Sequence, residues 1–129
     1  MKTTLIPLLL TLATSLAHAD EQGYSKAYDT CMDTASTTAA MVDCLAQETK
    51  VQDTRLNANY QALVKNLDTE RLTKLRDAQR SWVKFRDADC ALARIMTGGS
   101  IDRVNAQSCL LQATKAWADN LAVLLSPEG

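Results

Sequence analysis

The sequence predicts an all-α fold: a small antiparallel helical bundle of one short and three longer helices, stapled by two disulfides. Three observations carry this. Glycine and proline are scarce, four and two residues in 129, while alanine, leucine, glutamine and charged residues dominate; that composition favours helices. Leu72, Leu75, Gln79, Trp82, Arg86 and Asp89 recur at spacings of three and four, which lays them along one helix face. Four cysteines form an even set in a chain that begins like an exported protein.

Residues 1–19 read as a signal peptide. Lys2 supplies the positive end, and residues 5–16 are apolar apart from Pro7 and small hydroxyl residues. Ala17, His18 and Ala19 form an A-x-A cleavage site, so the mature domain is expected to span residues 20–129. No cysteine follows that site, as a lipoprotein signal would require, and no later run approaches the roughly 20 apolar residues of a membrane span. The expected location is the periplasm or the medium. About 110 residues remain, enough for one domain with a single modest core. Removing Lys2 takes the formal charge from -1 to about -2, which argues against nucleic acid, since phosphate backbones select basic faces. The one histidine, His18, leaves with the signal peptide and takes histidine triads and histidine metal ligands with it. No cofactor or metal is expected. The cysteines lack the short C-x-x-C spacing of a zinc knuckle, so two disulfides are favoured over a zinc site.

The elements follow in order. Residues 20–35 form a short, weakly amphipathic helix. Ser36, Thr37 and Thr38 are a hydroxyl cluster suited to capping the next helix. That helix covers 38–67, about 45 Å long, with the stripe Val42, Leu45, Thr49, Asp53, Leu56, Tyr60, Leu63 and Leu67. Asp68 and Thr69 make a tight connection and a cap. The third helix covers 69–96 and ends at Gly98 and Gly99, which supply positive φ without steric cost. Ser100 or Asp102 caps the fourth helix, 102–125, whose apolar face includes Val104, Leu110, Ala113, Trp117, Leu121 and Leu124. Pro127 follows its end.

Antiparallel hairpins fix the pairing. Residues that face each other across a hairpin lie equidistant from its turn. Cys90 and Cys109 are equidistant from the turn at Gly99 and Ser100, and so are Trp82 and Trp117. Cys31 and Cys44 are equidistant from the turn at Thr37 and Thr38. The expected disulfides are therefore Cys31–Cys44 and Cys90–Cys109, each closing a loop of roughly 15 to 20 residues and contributing on the order of 3 kcal/mol. Applied to the turn at Asp68, the same rule sets Asn57 opposite Gln79 and puts Asp53 within a turn of Arg86. These pairs form an expected structural polar network, because each group is costly to bury alone.

Several constellations invite a catalytic reading. Glu48 and Asp53 are candidate paired carboxylates for glycosidase-type chemistry; neutralisation of Asp53 by Arg86, with Glu48 facing solvent, is favoured. Ser100 would need Lys84 or Lys115 as base to act as a nucleophile, and a cap or loop role fits it better. Trp82 and Trp117 hold matched hairpin positions, which favours core packing over a ligand platform. Arg71, Lys74, Arg76 and Arg80, interleaved with Glu70 and Asp77, read as a solvated face.

A family resemblance rests on Cys31, Thr37, Met41, Cys44, then Asp53, Leu56, Asn57 and Tyr60 in a D-x-x-L-N-x-x-Y segment. Gln79, Arg80, Trp82, Phe85, Arg86, Asp87 and Cys90 follow as Q-R-x-W-x-x-F-R-D-x-x-C, and Gly98, Gly99, Ser100, Cys109 and Thr114 complete the set. The chain resembles the LprI-like lysozyme-inhibitor domain over almost its whole mature length. It departs at Ala40, where the family often has a glutamate that completes a capping box, and at Trp117, where it often has an arginine. The resemblance implies an exported, non-enzymatic binding protein whose partner is lysozyme or another cell-wall hydrolase. The partner-binding candidates are Gly98, Gly99, Ser100, Asp102 and Arg103, in a turn stiffened by the adjacent disulfide. The alternative is a structural or accessory envelope protein, or a toxin-immunity protein, that does not inhibit lysozyme.

Overall fold

A computed structural model describes residues 23–126; the expected signal peptide and Pro127 lie outside the described residues. Four helices and no strands occur among them: α1 (Lys26–Thr34), α2 (Thr38–Asn66), α3 (Thr69–Ala93) and α4 (Ile101–Leu125). Three of the four begin on side-chain caps. Ser25 Oγ accepts the Tyr28 amide at 3.2 Å, Thr37 Oγ1 accepts that of Ala40 at 3.1 Å, and Asp68 Oδ1 accepts that of Arg71 at 2.9 Å. Each satisfies an amide that the helix itself cannot. The Ser25 cap explains why α1 starts at Lys26, later than expected.

Helix α4 is the centre of the fold. It packs along α2 on one side and α3 on the other, while α1 packs on α2. Thr49 meets Gln107, Arg55 meets the Lys115 carbonyl, and Asn59 meets the Ala118 carbonyl. These numbers rise together, so α2 and α4 run parallel, and α3 is the antiparallel return between them. The face that α4 buries most deeply is Asp102, Ala106, Leu111, Thr114, Ala118 and Leu121. Half of it is small, Ala106, Thr114 and Ala118, which leaves room for α2 to pack closely along it.

Both expected disulfides are present: Cys31–Cys44 fastens α1 to α2, and Cys90–Cys109 fastens α3 to α4. Trp82 and Trp117 stack with ring centroids 5.7 Å apart. The principal core, Leu56, Leu63, Leu75, Ala118 and Leu121 with both tryptophans packed against it, occupies the half around the α2–α3 connection. The disulfides close the other half, where the buried interior is thinner and more polar.

The expected polar network does not form. Helix α3 leans on α4 instead of lying along α2, so the residues assigned to face each other are carried apart. Gln79 accepts a 2.5 Å hydrogen bond from Trp117 Nε1, and Asn57 donates to Asp53 within α2 at 3.1 Å on an exposed face. Arg86 binds the neighbouring Asp87 and lies over the Trp82 ring, 4.9 Å from its centroid. Desolvating an Asp53–Arg86 pair would remove two charges from water; the splayed α3 avoids that.

Glu48, expected in solvent, is instead buried at 2 % exposure. It accepts the Ser25 amide at 3.0 Å, the Ser25 hydroxyl at 2.5 Å and the Gln52 amide at 2.8 Å. Gln52 in turn accepts from Arg55, which is ion-paired with Asp119, as is Lys115. This polar ladder ties the start of α1 to α2 and α4. Burial alone would raise the Glu48 pKa, but the Ser25 and Gln52 hydrogen bonds outweigh it and hold the carboxyl below its ordinary value.

This packing sets the outcome of three substitutions. Trp117→Phe keeps an aromatic ring but leaves Gln79 without its donor, so chemical denaturation should show a loss of about 1 kcal/mol. Asp53→Ala should lie within about 0.5 kcal/mol of wild type; a larger loss at Asp53 than at Trp117 would restore the Asp53–Arg86 pairing. Glu48→Gln keeps an oxygen for the Ser25 and Gln52 amides but removes the charge they stabilise and puts an amide nitrogen against the Ser25 hydroxyl, and it should cost about 1–3 kcal/mol at neutral pH. Because the folded Glu48 pKa is depressed, its stabilisation is complete above the ordinary 4.5 and fades as pH falls through the folded value. Urea midpoints measured against pH should therefore converge for wild type and variant on acidification.

Candidate functional site

The turn between α3 and α4 is built around one carboxylate. Asp102, 3 % exposed, folds back from the first turn of α4. It accepts the Thr97 amide at 3.1 Å, the Thr97 hydroxyl at 2.8 Å and the Gly98 amide at 2.8 Å. Burial would raise its pKa, yet the Thr97 hydroxyl and the Gly98 and Thr97 amides prevail and hold the group below its ordinary value. Gly98 adopts φ +75°, a region that a side chain resists. Thr97 Oγ1 also accepts the Gly99 amide at 3.1 Å, and the Asp102 amide donates to the Gly99 carbonyl at 3.1 Å. Cys90 and Cys109 pin the two helices behind the turn. The turn is thus fixed from inside and from below.

These contacts end α3 at Ala93, before the expected position 96. Arg94, Ile95 and Met96 leave the helix and join the turn. Ile95 and Met96 are 71 % and 64 % exposed, and Ile101 is 46 % exposed. Leu92, also exposed, extends the apolar surface onto α3.

The five residues singled out from sequence divide. Gly98, Gly99, Ser100 and Arg103 lie on the exposed side of the turn, whereas Asp102 points inward. Ser100 holds the cap position of α4 without a side-chain cap bond. Arg94, Ile95 and Met96 were not singled out, because a third helix drawn through position 96 hides them among its solvent-facing residues; Ile101 lies within the expected turn but was not named with its glycines and charged residues. The signal that would have found them is a pair of β-branched residues, Ile95 and Ile101, on either side of a double glycine with no helix left to bury them.

Other candidates fall into place elsewhere. Glu48 and Asp53 sit in different environments, one buried in the α1 latch and the other exposed. Lys115, weighed as a base for Ser100, is ion-paired with Asp119. Arg71 pairs with Asp68 and Arg80 with Asp77, as a solvated face would. Asp89 Oδ2 lies 3.6 Å from Cys109 Sγ. That sulfur is in a disulfide and carries neither proton nor thiolate charge, so the contact is not a hydrogen bond. Asp89, Cys90 and Cys109 therefore offer a metal ion one carboxylate and no thiolate. At the opposite pole a groove of about 580 Å³, lined by Leu63, Leu67, Leu75, Trp117 and Leu124, opens between α2, α3 and α4. No helix among the described residues is long and apolar enough to cross a membrane.

Comparisons with known proteins place this arrangement. An uncharacterised protein of Escherichia coli K12, YecT, is 38 % identical over 60 residues, which cover 38 % of this chain and 37 % of that one. An uncharacterised protein of Rhizobium meliloti, R02472, is 28 % identical over 96 residues, covering 64 % of this chain and 69 % of that one. The chain thus spans little more than a third of the length of the first relative. No solved structure matches it. The model of the family described as lysozyme inhibitor LprI matches residues 31–121, from the first cysteine of α1 to the buried Leu121 of α4, and the chain belongs to that family.

Proposed function

We propose that this chain is an exported, non-enzymatic protein that binds and inhibits a lysozyme-type cell-wall hydrolase, and that the 94–103 turn is the part that enters the enzyme. The observation that carries this reading is the turn itself. It is an internally hydrogen-bonded segment in which exposed isoleucine and methionine side chains surround a buried carboxylate that already has its donors. A pre-ordered loop gives up little conformational freedom on binding. Exposed apolar side chains clustered at one place are the usual sign of an interaction surface. The family match adds the class of partner.

Export is part of the same proposal. Its supports are the signal-like residues 1–19 and two disulfides, which persist in oxidising compartments. The mildly acidic chain suits long-range attraction to a basic enzyme.

The test is inhibition of peptidoglycan turnover by the disulfide-intact protein in molar excess over a c-type lysozyme. Inhibition is expected. Turnover unchanged at large excess, with a pull-down that recovers a different envelope protein, would favour the accessory or immunity role. Replacing Cys90 and Cys109 by alanine should weaken inhibition more than replacing Cys31 and Cys44, since only the first pair braces the turn. Equal losses would remove the turn from the interface.

A further inference from the structure

We infer that Arg94 and Arg103 form a two-armed cationic clamp that seats the turn against the catalytic carboxylates of a glycoside hydrolase, with Ile95, Met96 and Ile101 packed on the walls of the cleft. The inference rests on the reading above and specifies how that turn would recognise its partner.

Four observations point to it. Arg94 and Arg103 flank the same turn, one at the end of α3 and one in the first turn of α4, and both are exposed. Neither has an ion-pair partner among the described residues, whereas Arg55, Arg71, Arg80 and Arg86 each have an aspartate. The other unpaired arginine, Arg76, lies farther back along α3. The acid within the turn, Asp102, is turned inward and engaged by Thr97 and Gly98, so the outward face keeps its positive charge. Arg103 also stands where the helix macrodipole is positive, a position that favours acids over bases. A cation placed against the dipole and left without a counter-ion contributes nothing evident to folding.

The surface that matches this face carries carboxylates in a partly apolar cleft. Glycosidases that cleave wall polysaccharide hold a pair of Asp or Glu side chains there. Arginine meets carboxylates through a fixed fork of donors, and arginine flanked by apolar anchors is typical of the residues that dominate protein interfaces. Charge is thus arranged on two scales: the chain as a whole is mildly acidic, while the tip that enters the cleft is basic.

The experiment compares wild type, Arg94→Glu, Arg103→Glu and the double variant as inhibitors of a c-type lysozyme, with thermal unfolding of each. Each single variant should raise the half-inhibitory concentration about tenfold or more, and the double variant should abolish inhibition. Arg103→Glu should unfold at the wild-type temperature or above it, because it corrects the dipole mismatch; function and stability then move in opposite directions. Neutralising the enzyme's catalytic glutamate by Glu→Gln should weaken binding of wild type and leave the double variant unaffected. If wild type inhibits and the double variant inhibits equally, the clamp is wrong while the inhibitor reading stands. If wild type itself does not inhibit, both fall together.

Discussion

The close parallel contact between α2 and α4 is the constraint on which the rest of the molecule depends. It exists because α4 presents Ala106, Thr114 and Ala118 where larger residues would hold the helices apart, with Leu111 and Leu121 filling the spaces between them. Two consecutive parallel neighbours need a return segment, and α3 is that segment. Its length is set by the need to run back along the bundle, and it leans mainly on α4, meeting α2 through Leu75 in the shared core. The apolar interior is then richest near the α2–α3 connection. The opposite end, with less to bury, is closed covalently.

A second device is used twice at that covalent end. Glu48 and Asp102 are buried carboxylates, and each receives donors from the chain where a helix begins or has just ended. In both cases hydrogen bonds overcome the cost of burial and keep the acid ionised. Glu48 latches α1, and Asp102 shapes the turn. The two acids that a surface count would assign to solvent are thus structural, and the charge balance of the exposed turn is more basic than the sequence suggests.

The fold class and both disulfides were legible in the sequence because two of the three turns obey simple hairpin geometry. Equidistance from Gly99 and Ser100 placed Cys90 with Cys109 and Trp82 with Trp117, and the structure has both contacts. The same rule failed across Asp68. It assumes that sequential helices lie side by side, and nothing local in α2 or α3 announces that α4 will take the place between them. The stripe assigned to α2 included Asp53 and missed Glu48 and Gln52, because hydrophobic periodicity does not register a polar residue buried with its partners. The α4 stripe was drawn about one residue off: it named Leu110, Ala113 and the exposed Leu124, whereas Ala106, Leu111, Thr114 and Ala118 are the buried ones, a face whose small residues mark close approach and not greasiness. The turn was located correctly. Its inward aspartate, and the exposed residues released by the early end of α3, depended on contacts that no spacing rule contains.

The disulfide arrangement also bears on how the chain reaches its oxidised state. Four cysteines permit three connectivities. The observed pairs, Cys31–Cys44 and Cys90–Cys109, are nested in separate hairpins and never interlace. Each thiol pair can meet while the other half of the chain is still a coil, since closing a short loop is entropically cheaper than closing a long one. Oxidation therefore needs no prior assembly of the α2–α4 contact and no particular order. A chain emerging unfolded into an oxidising compartment would lock its two hairpins independently, and the α1–α2 and α3–α4 pairs would then dock through the α2–α4 contact.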